Sequence, residues 1–114
     1  MTRERRAFGA SGEAIVAAWY VERGYEVLDR NWRCREGELD LVLRRGTTVV
    51  FCEVKSRRST AFGAPLQAVT PPKQRRIRSL ALQWLSSSRV GAPLLRFDVA
   101  GVLDGEVEVV EAAF

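Results

Sequence analysis

Histidine is absent from the 114 residues, and with it go the commonest general base and the commonest transition-metal ligand. Ser-His and Cys-His catalysis and a histidine-based zinc site are excluded, so acid, base or metal chemistry must use carboxylates, lysine, tyrosine or thiols. Cysteine occurs twice, at Cys34 and Cys52, without the paired spacing of a zinc site or a redox motif. Both thiols are expected to be free, Cys52 buried on a strand. No apolar run approaches the roughly 20 residues of a membrane span, so no membrane partner is expected. The Arg-rich residues 1–10 have no hydrophobic stretch behind them. They read as a basic, mobile N-terminus rather than a secretion signal, which implies a cytoplasmic address.

Lysine is scarce as well: of the 18 basic residues only Lys55 and Lys73 are lysines. The planar fork of arginine suits phosphate oxygens, although genome base composition produces the same bias. Basic charge also stops early. After Arg96 come Asp98, Asp104, Glu106, Glu108 and Glu111 and no Lys or Arg, a tail of −5 that leaves +9 on residues 1–96 out of +4 overall. A polyanion would meet the two parts very differently; plain solubility accounts for the segregation too.

What is present fits one domain, residues 1–114, with 46% hydrophobic and 28% charged residues in the ordinary globular range. Ser11 and Gly12 open a helix over 11–23, with Ala14, Ile15, Ala18, Trp19 and Val21 at helical spacing and Gly24 as its left-handed stop. Residues 25–30 read as a short strand, Val27 and Leu28 inward, followed by a basic loop over 31–35 that closes at Gly37. Residues 56–70 lack periodicity and read as a mobile basic loop carrying Arg57, Arg58 and Gln67. Thr70 is expected to cap a second helix, with Pro71 in its first turn and Ile77, Leu80, Ala81, Trp84 and Leu85 as its core stripe. Lys73, Arg75, Arg76 and Arg78 then lie near its anion-favouring end, which Gly91 and Pro93 follow. Residues 94–103 and 107–110 form a closing hairpin turned at Asp104-Gly105. The order α-β-β-β-α-β-β predicts an α/β fold, a mixed central sheet of about five strands flanked by helices.

Two segments carry the chemistry. Residues 38–43 alternate, placing Glu38, Asp40 and Val42 on one face and Leu39, Leu41 and Leu43 on the other. Residues 48–55 place Val49, Phe51, Glu53 and Lys55 together, opposite Val50, Cys52 and Val54. With the turn at 45–47, a four-residue loop brings Asp40 opposite Glu53 and Glu38 opposite Lys55; a two-residue loop is expected to shift the pairs while keeping all four on one face. Magnesium prefers oxygen ligands and usually takes one or two protein carboxylates, with waters and substrate phosphate completing its shell. Asp40 and Glu53 can supply that pair, and Lys55 can stabilise phosphate charge or orient and deprotonate the attacking water. Exposed sheet faces also display such residues without function. The scarcity of lysine, Phe51 on the charged face and the apolar opposite face favour a partly buried acidic site.

The runs Gly12-Glu13, Gly24-Tyr25, Arg30-Asn31, Gly37-Glu38-Leu39-Asp40-Leu41, Phe51-Cys52-Glu53-Val54-Lys55-Ser56-Arg57, Phe62-Gly63, Lys73 and Arg96-Phe97-Asp98-Val99 follow one another across nearly the whole chain. In them the sequence resembles the YraN-type (UPF0102) family of small bacterial proteins, which is grouped by similarity with the PD-(D/E)xK, restriction-endonuclease-like folds, near archaeal Holliday junction resolvases. The resemblance implies that fold, Mg2+ (or Mn2+) as cofactor, and a structure-selective or weakly sequence-dependent nucleic-acid ligand. It also implies that Glu13, Asp40, Glu53 and Lys55 correspond to the superfamily's helix carboxylate, metal-binding Asp, metal-binding Glu and catalytic Lys. Leu39 stands where the superfamily name has proline, a position known to vary. Without the resemblance, Glu13 would read as a helix-start carboxylate.

Around this centre, Arg33, Arg35, Arg57, Arg58, Lys73, Arg75 and Arg76 are candidate nucleic-acid contacts. Glu38, Gln67 and Asp98 are supporting candidates. Glu38 can pair with Lys55 or an arginine, and Asp98 can support the site or form a strand-face ion pair. Gln67 and Lys73 are equally explained as solvated loop and helix-start residues. Trp19 and Trp84 read as core, whereas Trp32 reads either as packing or as a stacking surface for an unpaired base. The expected function is a metal-dependent endonuclease that hydrolyses phosphodiester bonds in DNA, more than RNA, branched DNA included. Its rivals are a non-catalytic nucleic-acid-binding module of the same fold, and a small interaction or assembly protein whose acidic C-terminal hairpin docks on a basic surface. A branched substrate would favour a two-fold homodimer.

Overall fold

The structure, a computed structural model, describes residues 2–57, 68–91 and 94–114, with side chains from Gly12 onward, Arg57 excepted. The elements are α1 (Thr2–Val21), β1 (Glu26–Cys34), β2 (Gly37–Arg45), β3 (Thr48–Arg57), α2 (Pro71–Ser88), β4 (Leu94–Leu103) and β5 (Glu106–Val110). They form a five-stranded sheet in the order β1-β2-β3-β4-β5. β1, β2 and β3 are antiparallel neighbours, β3 and β4 run parallel across the α2 connection, and β5 returns antiparallel to β4. Asp104 and Gly105 both take positive φ, 50° and 80°, the backbone that a tight hairpin needs to match strand twist.

Each face of the sheet is covered by one helix. Ile77, Leu80, Ala81 and Trp84 of α2 pack on Leu39, Val42, Val49, Phe51, Phe97 and Val99. Val16, Ala17 and Tyr20 of α1 pack on Leu41, Leu43, Val50, Cys52, Ala100 and Val102. Burial on both sides explains why β3 is apolar without interruption from Val49 to Cys52, all buried. At roughly 2–5 kcal/mol for truncating such a core side chain to alanine, these two clusters dominate the local energetics. No described helix is long and apolar enough to cross a membrane.

Several expectations are corrected. α1 begins at Thr2 rather than Ser11, and its buried stripe is Val16, Ala17 and Tyr20, while Ala14, Ala18 and Val21 are exposed. Gly12 is an interior helical residue: a Cβ there would run into Ser56 Oγ, so the absence of a side chain lets α1 approach the end of β3. The basic stretch after Arg30 is strand, since β1 runs to Cys34. Trp32 is half-buried against the α2 cluster, which favours packing. Leu39 joins the α2 side instead of sharing a face with Leu41. Thr70 occupies the position before α2 but makes no side-chain capping bond, and the helix ends at Arg89 in a left-handed conformation, φ 60°, ahead of Gly91.

Candidate active site

β3 projects Glu53 and Lys55 to the side of Val49 and Phe51, because alternate strand residues share a face. That side belongs to α2, whose first turn brings in Lys73. Both lysines converge on one atom: Lys55 Nζ lies 3.4 Å and Lys73 Nζ 3.3 Å from Glu53 Oε1. The Glu53 side chain is only 11% exposed, so these are not freely solvated surface pairs.

The β2–β3 ladder runs from Arg45↔Thr48 to Leu41↔Cys52. The turn is the two residues Gly46 and Thr47, yet the register is the one expected for the longer loop, since Arg45 and Thr48 simply extend the same ladder. One step beyond Leu41↔Cys52 stand Asp40 and Glu53. The Val54 N–H donates there to Asp40 Oδ2 at 2.8 Å, so a side chain takes over from the backbone pairing where the ladder ends. Asp40 stands close enough to Glu53 for the charge of one to act on the other.

Burial pushes the Asp40 carboxyl up to about 7, helped by the negative charge of Glu53 and, less, of Glu13; the Val54 N–H opposes the rise. Glu13, half-buried on α1, is also raised, first by burial and then by the charges of Glu38 and Glu53, against the nearby polar side chain of Asn31 and the charge of Arg30. Lys55 is lowered, first by burial and then by its contact with Lys73. For Lys73 burial acts downward too, but the contact with Lys55 and the charge of Glu53 outweigh it and hold the group up. The structure thus brings Glu13, Asp40, Glu53, Lys55 and Lys73 into one electrostatic unit.

Asp40 and Glu53 offer hard oxygen donors, and burial first, then the charge of Glu53, makes an ionised Asp40 unfavourable without a further cation beside it. A divalent cation fits that donor set. Among the described residues no group of three carboxylate or thiol side chains forms a metal cage by itself, so the fit is that of a two-carboxylate site needing further oxygens from water or substrate.

The remaining candidates separate. Glu38 accepts from Arg33 Nε at 2.7 Å and is not paired with Lys55. Arg33, Arg35 and Glu38 line a hollow of about 470 Å³ on the β1–β2 hairpin. Arg75 and Arg76 are exposed on α2, and Arg76 Cδ lies 3.8 Å from where a Cβ on Gly37 would stand, which puts it beside that hairpin. Arg78 instead lies over the rings of Phe97 and Phe114, 4.8 and 5.4 Å from their centroids. The Arg57 side chain, Arg58 and Gln67 lie outside the described residues.

Asp98 is a buried anchor. Fully inaccessible, it accepts from the Tyr20 hydroxyl at 2.6 Å, from Arg96 Nε and Nη2 at 2.9 Å each, and from the Ala112 N–H at 3.0 Å. It ties α1, β4 and the C-terminal turn together on the α1 side of the sheet, so its supporting role is structural and the ion-pair alternative holds. Two features escape sequence reasoning: Asn31 as a polar neighbour of Glu13, and the ion pair of Lys73 with Glu53. A φ of 50° at Asn31 fits a residue type that tolerates such backbone, but nothing local marks its target.

Residues 12–102 match the model of the uncharacterised protein family UPF0102. A UPF0102 protein of Rhodococcus opacus is 46% identical over 113 residues, covering 95% of this chain and 96% of the relative. One of Beutenbergia cavernae is 50% identical over 101 residues, covering 89% and 86%. One of Geotalea daltonii is 41% identical over 116 residues, covering 97% and 91%.

Proposed function

The chain belongs to the UPF0102 family, and from the carboxylates and lysines gathered at β2, β3 and α2 we propose that it is a metal-dependent nuclease that hydrolyses phosphodiester bonds in DNA, branched DNA among its substrates. The observation that carries the reading is the Asp40–Glu53 pair. Two carboxylates are brought together at the end of a ladder, one is pushed up to about 7 by burial and by its neighbour, and two lysines stand on the other. Such pairing is costly for the fold and suits a group meant to receive a cation.

In this reading Asp40 and Glu53 hold Mg2+ or Mn2+, which when bound supplies charge stabilisation to the phosphate and acidifies a water. The Val54 N–H keeps the Asp40 oxygen oriented. Lys55, lowered by its surroundings, can take a proton from the attacking water or donate to a phosphate oxygen. Glu13 adds negative charge from α1. Arg33, Arg35, Arg75 and Arg76 offer phosphate contacts at the β1–β2 hairpin and along α2, and the acidic β5 side would face away from the polyanion. Free Cys34 and Cys52 suit a reducing cytoplasmic setting.

The test is incubation with linear, single-stranded and branched DNA and with RNA, in Mg2+ or Mn2+ and then in EDTA. Cleavage is expected with metal, and Glu53→Gln should lose it at least a hundredfold, as removal of a centre of transition-state charge stabilisation does elsewhere. If every substrate survives every metal while salt-dependent binding persists, the chain is a binding module and the nuclease reading fails. If no affinity falls with salt, the interaction-protein reading takes its place.

A further inference from the structure

Two ammonium groups on one carboxylate oxygen is more cation than Glu53 needs. Lys55 Nζ and Lys73 Nζ both lie within 3.4 Å of Oε1, and their side chains are 24% and 34% exposed against 11% for Glu53. Lys73 stands in the first turn of an 18-residue helix with no acidic residue there, so the helix dipole adds positive potential. Pro71 and Pro72 precede it and have no N–H to offer. Lys73 is therefore the reachable donor of that turn that faces the site, and its described carboxylate contact is Glu53. Should Glu53 turn to a divalent ion, both lysines lose their counter-ion inside a partly desolvated site. An unpaired cation there is costly, and a phosphate oxygen is the anion that would relieve it.

Resting on the nuclease reading, we propose that Lys73 joins Lys55 as a phosphate-binding pair that is held silent on Glu53 until that carboxylate engages a divalent ion. The two lysines compete with metal in the free protein and bind the phosphodiester once metal has displaced them. Metal and nucleic acid then reinforce each other by the same factor whichever arrives first.

Calorimetric titration of Ca2+ into the full chain, with and without a short DNA duplex whose integrity is followed on a gel, tests this through affinity rather than turnover. Lys73→Met, which keeps the apolar stem, should bind Ca2+ severalfold more tightly than the parent without DNA. The parent's enhancement of Ca2+ affinity by DNA, expected at about tenfold within the usual 5–150-fold range of site coupling, should shrink in that variant. Lys73→Arg keeps the charge and should behave as the parent. If Ca2+ binds parent and Lys73→Met equally without DNA, the lysine competition is refuted while the metal site stands. If Ca2+ binds neither protein, with or without DNA, the metal-dependent nuclease reading falls and takes the competition with it.

Discussion

Asp40→Asn should stabilise the protein, and the gain should grow with pH. The Asp40 carboxyl is displaced from its ordinary 3.8 to about 7, first by burial and then by the charge of Glu53. An acid raised in the fold contributes stability that is complete below its unfolded value and is lost as pH rises through the folded one. The affected window is therefore pH 4 to 7. At about 1.4 kcal/mol for each pH unit, ionising Asp40 in the fold costs up to about 4 kcal/mol, and sharing of the proton with Glu53 makes about 2–4 kcal/mol the expected difference. Asparagine resembles the protonated acid in shape and can still accept the Val54 N–H. Urea denaturation of parent and variant in EDTA should give equal stabilities near pH 4 and a variant more stable by that amount at pH 8. Taking the difference cancels the other carboxylates. Magnesium should then stabilise the parent, by about 2.7 kcal/mol at a hundred times its dissociation constant, and leave the variant unmoved. A difference that is flat with pH, or a variant weaker at pH 8, refutes the view that Asp40 is held ionised at the expense of the fold.

Two further substitutions test the frame around the site. Asp98→Asn leaves Arg96 facing a neutral group in a buried network, and should cost about 3–5 kcal/mol in urea denaturation, whereas Glu111→Gln, which removes the exposed partner of Arg96, should change stability by less than about 1 kcal/mol. Gly12→Ala would ordinarily add about 1 kcal/mol of helix propensity, but the new Cβ meets the Ser56 hydroxyl and lies 3.2 Å from Ser56 Cβ, so urea denaturation should show less than that gain, with Ser56→Ala on top recovering part of it; the full gain from Gly12→Ala alone would disprove the close approach.

The elements legible in the sequence are those governed by local rules. Alternation along β3 puts Glu53 and Lys55 on one face, and the β2–β3 register brings Asp40 beside Glu53 although the alternation of β2 fails at Leu39; the apolar stripe of α2 is read nearly to the residue. The misreadings have local causes too. Ser11-Gly12 looks like a helix start because glycine is costly inside helices, yet here the missing side chain serves a contact with a residue 44 positions away. The charged stretch after Arg30 looks like a loop because β1 is an edge strand, and edge strands carry charge outward. The α1 stripe is read on the wrong side of the helix wheel, with only Ile15 and Trp19 at the border of the true one, since its decisive residue, Tyr20, is chosen as much for a hydroxyl bonded to Asp98, 78 residues on, as for its apolar ring. Lys73 follows the same logic. Its contact with Glu53 spans the whole crossover from β3 to α2 and leaves no periodic trace. The residues that present a site can thus be read from spacing, whereas those that set its charge balance become visible only when the crossover is folded back onto the strand it left.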